Sequence, residues 1–127
     1  MNHGLSEETL ARVRRILATF PAIDRAVLYG SRAMGTFKSG SDIDLTLFGK
    51  GIDRALCAEV AMMFGASIIP FRVDVSAFDL LTHEGLKDHI RRRGTVLFDR
   101  SVWDAEQAAI RLARMASEDA GAAGKGP

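Results

Sequence analysis

Apolar positions along this chain follow two periods. Leu10, Val13, Leu17 and Phe20 recur at the spacing of one helix face. Ser6 stands before them as an N-cap, Glu7 and Glu8 fall in the first turn, where acids complement the positive helix end, and Leu5 is placed to staple onto Leu10. This first helix is expected to reach about Thr19, because Pro21 prevents a simple continuation. The period then shortens to two. The run "RAVLYG" (25–30) predicts a first strand and the strictly alternating "DIDLTLF" (42–48) a second, joined by a loop or short helical turn containing Gly35 and Gly40.

Gly49 and Gly51 punctuate the second strand. Leu56, Val60, Met63 and Phe64 then mark one face of another helix, with Asp53 as its N-cap. "SIIPFRVDVSAF" (67–78) predicts a third strand, and Pro70 suggests an edge position or a bulge at its start. "THEGLKDHIRRRG" (82–94) predicts a helix with Gly94 as a C-prime cap and three arginines at its negative end. "TVLF" (95–98) is a short fourth strand, and Ser101 is expected to cap a last helix running to about Ser117. The order predicts an α/β (α+β) domain with a small mixed sheet of about four strands flanked by helices. Residues 1–117 form one domain in this reading, and the small, polar tail 118–127 is expected to be disordered.

Composition narrows the picture in three ways. A length of 127 residues, 47% apolar and 26% charged, suits one globular core and leaves no room for two ordinary domains. Seventeen Lys and Arg against sixteen Asp and Glu give a net charge of +1, so no global field favours duplex DNA, and anion binding has to be local. The single Cys57 excludes an internal disulfide and reads as a small core residue of its helix. No apolar leader region or membrane-length run is present, which predicts a cytoplasmic protein with no membrane partner.

The second strand raises the chemical question, since it carries Asp42 and Asp44 in an otherwise apolar run. Alternation puts Asp42, Asp44 and Thr46 on one side and Ile43, Leu45 and Leu47 on the core side. The third strand repeats the pattern, with Arg72, Asp74 and Ser76 opposite Val73, Val75 and Ala77. If the strands are neighbours, about 4.8 Å apart, Asp42, Asp44 and Asp74 can converge on one open face. Their mutual repulsion calls for hard cations, and a pair of Mg²⁺ ions would make a site for displacement at phosphorus. Gly30 and Ser31 end the first strand, where a glycine lets backbone N–H groups approach an anion and a following helical turn would aim its positive end at the same point. The Ser31 hydroxyl could donate to a phosphate, and Arg32 or Lys38 could neutralise one. Asp79 rivals Asp74 as third carboxylate, but its position suits a strand-to-helix cap, and Asp74 alone matches the alternation of the second strand.

Gly30-Ser31, ten intervening residues, Asp42-x-Asp44 on a strand and Asp74 on another resemble the signature of the nucleotidyltransferase superfamily that includes polymerase β. The run "LYGSRAMGTFKSGSDIDL" is similar to the minimal nucleotidyltransferases, or MNT-domain proteins, and the resemblance extends over roughly 22–100. It implies the nucleotidyltransferase fold. It also implies that Gly30 and Ser31, with Arg32 beside them, hold the triphosphate of ATP, that Asp42 and Asp44 bind Mg²⁺, and that Asp74 ligates metal, acts as base, or both. Larger relatives carry further acceptor-binding domains. A chain this small is expected to meet its acceptor through a partner, and the family implies a helical HEPN-domain toxin to which AMP is transferred. Two alternatives stay open: transfer to a small molecule held jointly with a helical subunit, and a non-catalytic module that masks its toxin.

Other features read as structural. His3, His83 and His89 share no metal-like spacing and suit solvated or capping roles, and Arg91 to Arg93 suit a solvated helix end. Trp103 and Ile110 suggest a buried stripe on the last helix, or else a partner surface. Tyr29 is expected to pack beside the cradle as a strand residue, which leaves little room for modification of its own hydroxyl.

Overall fold

A computed structural model describes residues 3–124, with side chains as far as Asp119. Helix α1 (Glu7–Ala18) begins where Ser6 Oγ accepts the Thr9 N–H at 3.1 Å, and Leu5 and Leu10 are both buried, as a staple requires. Strand β1 (Arg25–Tyr29) leads into a single turn, α2 (Ser31–Met34), and then into β2 (Ile43–Phe48). Helix α3 (Arg54–Gly65) starts at Asp53, whose carboxylate accepts the Leu56 N–H at 2.8 Å. Strand β3 (Val73–Ala77), a 3-10 turn (Phe78–Leu80), α4 (Glu84–Arg93), β4 (Thr95–Asp99) and α5 (Arg100–Gly124) complete the order. No helix among the described residues is long and apolar enough to cross a membrane.

The four strands form one mixed sheet in the order β3-β2-β1-β4. β1 is antiparallel to both β2 and β4, whereas β2 and β3 are parallel, the pairing that needs a crossover such as α3. Ala26, Leu28, Ile43, Leu45, Leu47 and Val73 turn to one face of the sheet and join α1 and α3 in the main core, where Cys57 also packs. The other face is not wholly open. Val27, Phe78 and Ile90 form a second cluster there, with Tyr29, Phe48 and Leu86 around it, so α4 roofs part of the face and Thr46 is fully buried.

Several boundaries differ from the sequence reading for local reasons. β3 starts six residues later than expected, because Ser67 is tied into the end of α3: its hydroxyl donates to the Phe64 carbonyl at 2.6 Å and accepts the Ile69 N–H at 3.2 Å. Pro70 therefore precedes an edge strand instead of lying in it. Gly94 is extended (φ −67°, ψ 148°), not a left-handed cap; a Cβ there would collide with the Ile90 carbonyl and Val27. The cap of α5 is Asp99 in place of Ser101, since its carboxylate accepts the N–H groups of Ser101 at 3.0 Å and Val102 at 3.3 Å.

The expected buried stripe of α5 ends early. Trp103 packs on Phe98 with ring centroids 6.1 Å apart, but Ile110 is 50% exposed and Leu112 and Met115 face solvent. Helix α5 also continues to Gly124, seven residues past the expected end at Ser117. The expected disordered tail, 118–127, is thus helical as far as Gly124, and residues 125–127 lie outside the described residues.

Candidate active site

The chain crosses one end of the sheet three times within a few residues. β1 leaves the sheet there at Tyr29, β2 enters just after Asp42, and β3 enters just before Asp74. In the register, Asp44 pairs with Asp74 on one side and with Tyr29 on the other. Asp42 and Asp74 are exposed and Asp44 is half-buried. Burial pushes the Asp44 carboxyl above its ordinary value, and the nearby charges of Asp74 and then Asp42 push it further. Tyr29 shares this side: its hydroxyl is pushed up first by burial and then by Asp44 and Asp74, while a hydrogen bond with Ser76 pulls it back.

The three carboxylates share a region of the surface, yet among the described residues no group of three or more His, Cys, Asp or Glu side chains is gathered closely enough to hold an ion. The donor set is nevertheless the right kind for a hard divalent cation, being all carboxylate oxygen around a residue whose charge its own site disfavours. Asp79 stands apart. It lies in the 3-10 turn beyond the far end of β3, roughly 15 Å along the strand from Asp74.

Gly30 closes the other side of the site. Its φ of 78° is a left-handed conformation that side chains resist, and an added Cβ would lie 2.6 Å from Asp44 Oδ2. Glycine is required there for both reasons. Ser31, half-exposed, opens α2, a single turn of four residues; whatever grip this end has on an anion comes from individual N–H groups and the hydroxyl, not from a long helix dipole. Lys38 is exposed in a tight turn held by Ser41, whose hydroxyl accepts the Lys38 N–H at 2.8 Å and whose N–H donates to the Lys38 carbonyl at 2.9 Å.

Arg32 is not part of this surface. Its side chain is 2% exposed, and its guanidinium donates to the carbonyls of Ser41 at 3.0 Å and His3 at 2.9 Å while lying over the rings of Phe71 and Phe37. These contacts compensate the burial of the charge and fasten the loop before Asp42 to the N-terminal segment. The expected phosphate contact is replaced by a loop-holding one, because the Ser41 and His3 carbonyls and the Phe37 and Phe71 rings hold the guanidinium in the interior.

Sequence reasoning passed over His89. Its Nε2 accepts the Gly30 N–H at 3.3 Å, which puts an imidazole at the glycine of the cradle. One sequence signal was present: His89 adjoins buried Ile90 and lies three residues after Leu86, on the stripe of α4 that faces the sheet. Two cavities among the described residues lie away from the three carboxylates. One of about 410 Å³ is lined by Arg54, Cys57 and Leu80 among others, and one of about 340 Å³ by Arg25, Phe48, Phe78 and Arg91 among others.

The site is thus a strand pair with opposed aspartates beside a Gly-Ser turn. The family model described as polymerase beta, nucleotidyltransferase matches residues 11–102, and the chain belongs to that family. No curated protein matches the sequence. Among solved structures, a toxin-antitoxin crystal structure with AMP-PNP is similar at a TM-score of 0.59 and 19% identity, covering 91% of this chain and 94% of that one. The toxin-antitoxin MntA-HepT is similar at a TM-score of 0.58 and 15% identity, covering 91% and 94%. A complex of tri-AMPylated Shewanella oneidensis HEPN toxin with MNT antitoxin is similar at a TM-score of 0.59 and 17% identity, covering 90% and 88%. At these identities the likeness is one of fold.

Proposed function

We propose that this nucleotidyltransferase moves AMP from ATP to a hydroxyl of a partner protein, as the antitoxin of a HEPN-type toxin. The observation that carries the reading is the placement of Asp44 between Asp74 on the neighbouring strand and Gly30 at the turn. Gly30 and Ser31 would receive the β and γ phosphates. Asp42, Asp44 and Asp74 would hold divalent cations, with Mg²⁺ the natural match for an all-oxygen donor set, and bound there such ions supply charge neutralisation for the phosphate oxygens. The acceptor oxygen attacks the α-phosphorus, the bond to the bridging oxygen breaks, and pyrophosphate leaves. Asp74, exposed at the rim, would also take the acceptor's proton.

An open sheet end suits a macromolecular acceptor better than an enclosed pocket would. Solved structures of similar fold are complexes of an MNT protein with a HEPN toxin, one of them AMPylated, which supports the same partner class here. The test is to incubate the chain with labelled ATP, Mg²⁺, a cell extract's small-molecule fraction and the product of the adjacent gene. Label is expected on that protein, and Asp42→Asn should remove it while leaving the fold intact. Label confined to a small acceptor would overturn the protein-acceptor reading, and no label at all would overturn transfer itself.

A further inference from the structure

We infer that His89 is a triphosphate-contacting residue of this site, a reading that rests on the nucleotidyl-transfer function proposed above. The Gly30 N–H is the group that the cradle would turn toward a phosphate oxygen, and in the structure it donates to His89 Nε2 at 3.3 Å. Because Nε2 accepts this bond, the neutral ring carries its proton on Nδ1. A phosphate oxygen that takes the Gly30 N–H removes that donor from Nε2 and brings a negatively charged oxygen beside its lone pair. The ring resolves the conflict by releasing the Nδ1 proton to water and taking one at Nε2, an exchange with no net change in protonation. Nε2–H then donates to the oxygen beside the Gly30 N–H, and the triphosphate gains a second donor.

Placement and competition both favour this residue. Half-buried His89 is carried by α4, which is fixed over β1 by Ile90 and Leu86 packing around Val27 and Phe78, so the ring is held at the cradle by the fold. Three of the four Lys and Arg side chains of α4 are engaged elsewhere. Lys87 Nζ and the Arg91 guanidinium both lie 5.3 Å from the Phe78 ring centroid, and Lys87 also pairs with Glu84. Arg92 pairs with Asp88. Arg32, the cation nearest in sequence to Gly30, is buried on carbonyls and rings. His89 would thus stand beside the Ser31 hydroxyl as a side-chain donor at the cradle, where the sequence reading had looked to Arg32 or Lys38 for the cation.

The test uses the full chain with Mg²⁺, and measures calorimetric affinity for ATP and for inorganic tripolyphosphate in wild type, His89→Ala and His89→Gln, together with melting temperature. His89→Ala is expected to weaken both ligands by about tenfold or more, as loss of one donor to a charged oxygen does, and His89→Gln, which keeps an N–H donor, to recover most of it. In ¹⁵N spectra of the wild type, which do not depend on any variant folding, tripolyphosphate should move the His89 Nε2 resonance from the unprotonated to the protonated range. A ring that only pins α4 to Gly30 predicts otherwise: a lowered melting temperature in both variants, ATP affinities within about twofold of wild type, and an unmoved Nε2 resonance. That result overturns the inference and leaves nucleotidyl transfer standing. Failure of the wild type to bind either ligand overturns both.

Discussion

The two faces of β2 are made from alternate residues of one strand and differ most sharply at the end that carries Asp44. Ile43, Leu45 and Leu47 are at most 1% exposed and hold the sheet to α1 and α3. Asp42 and Asp44, their immediate neighbours, contribute no packing of that kind, and Asp44 sits where burial and two other carboxylates disfavour its charge. Strand geometry is what makes this arrangement possible. Because the side-chain period is two, a rigid apolar face fixes the direction of every residue on the other face, so a reactive group can be held accurately by neighbours that share none of its chemistry.

Adjacent substitutions should separate the two roles. Asp44→Asn is expected to lower nucleotidyl transfer by about a thousandfold or more while the far-ultraviolet spectrum and unfolding cooperativity stay those of the wild type. Leu45→Ala, one residue away, is expected to cost about 3 kcal/mol in denaturant unfolding and to leave transfer per folded molecule nearly unchanged. If Leu45→Ala lost transfer while remaining folded, the division between faces would be wrong.

Gly30 lies where the faces meet, and Gly30→Ala should affect both measurements. The left-handed backbone and the collision with Asp44 Oδ2 are expected to cost about 1–3 kcal/mol, and the displaced carboxylate should weaken transfer in parallel. Unfolding midpoints and initial rates on the same preparation would show whether the two losses travel together.

The smallest effect concerns the charge of Asp44. Its proton is held more tightly in the folded chain than at its ordinary value of 3.8, so the stability gained from that proton is fully present below pH 3.8 and is lost as pH rises through the folded value. Above that, the ionised carboxylate is a constant burden on the metal-free protein. Asp44→Asn should therefore raise the melting temperature at neutral pH by about 1–3 °C in chelator, the opposite sign to its effect on activity. Added Mg²⁺ should raise the wild-type melting temperature and leave that of the variant nearly unmoved.

The sequence by itself determined whatever depends on near neighbours. Alternation in "DIDLTLF" separated carboxylates from core, the Ser6 and Asp53 caps were readable from residues three positions apart, and the Gly30-Ser31 turn was visible as a break after an apolar run. Tertiary structure decided what depends on which distant groups arrive. Arg32 adjoins the cradle in sequence, yet the rings of Phe37 and Phe71 and the carbonyls of His3 and Ser41 draw it into the interior. His89 is fifty-nine residues from Gly30 and reaches it only because α4 folds over β1. The pairing of Asp44 with Asp74 likewise needed β3 to lie parallel beside β2, a choice made by the α3 crossover and the core it buries, not by either strand alone.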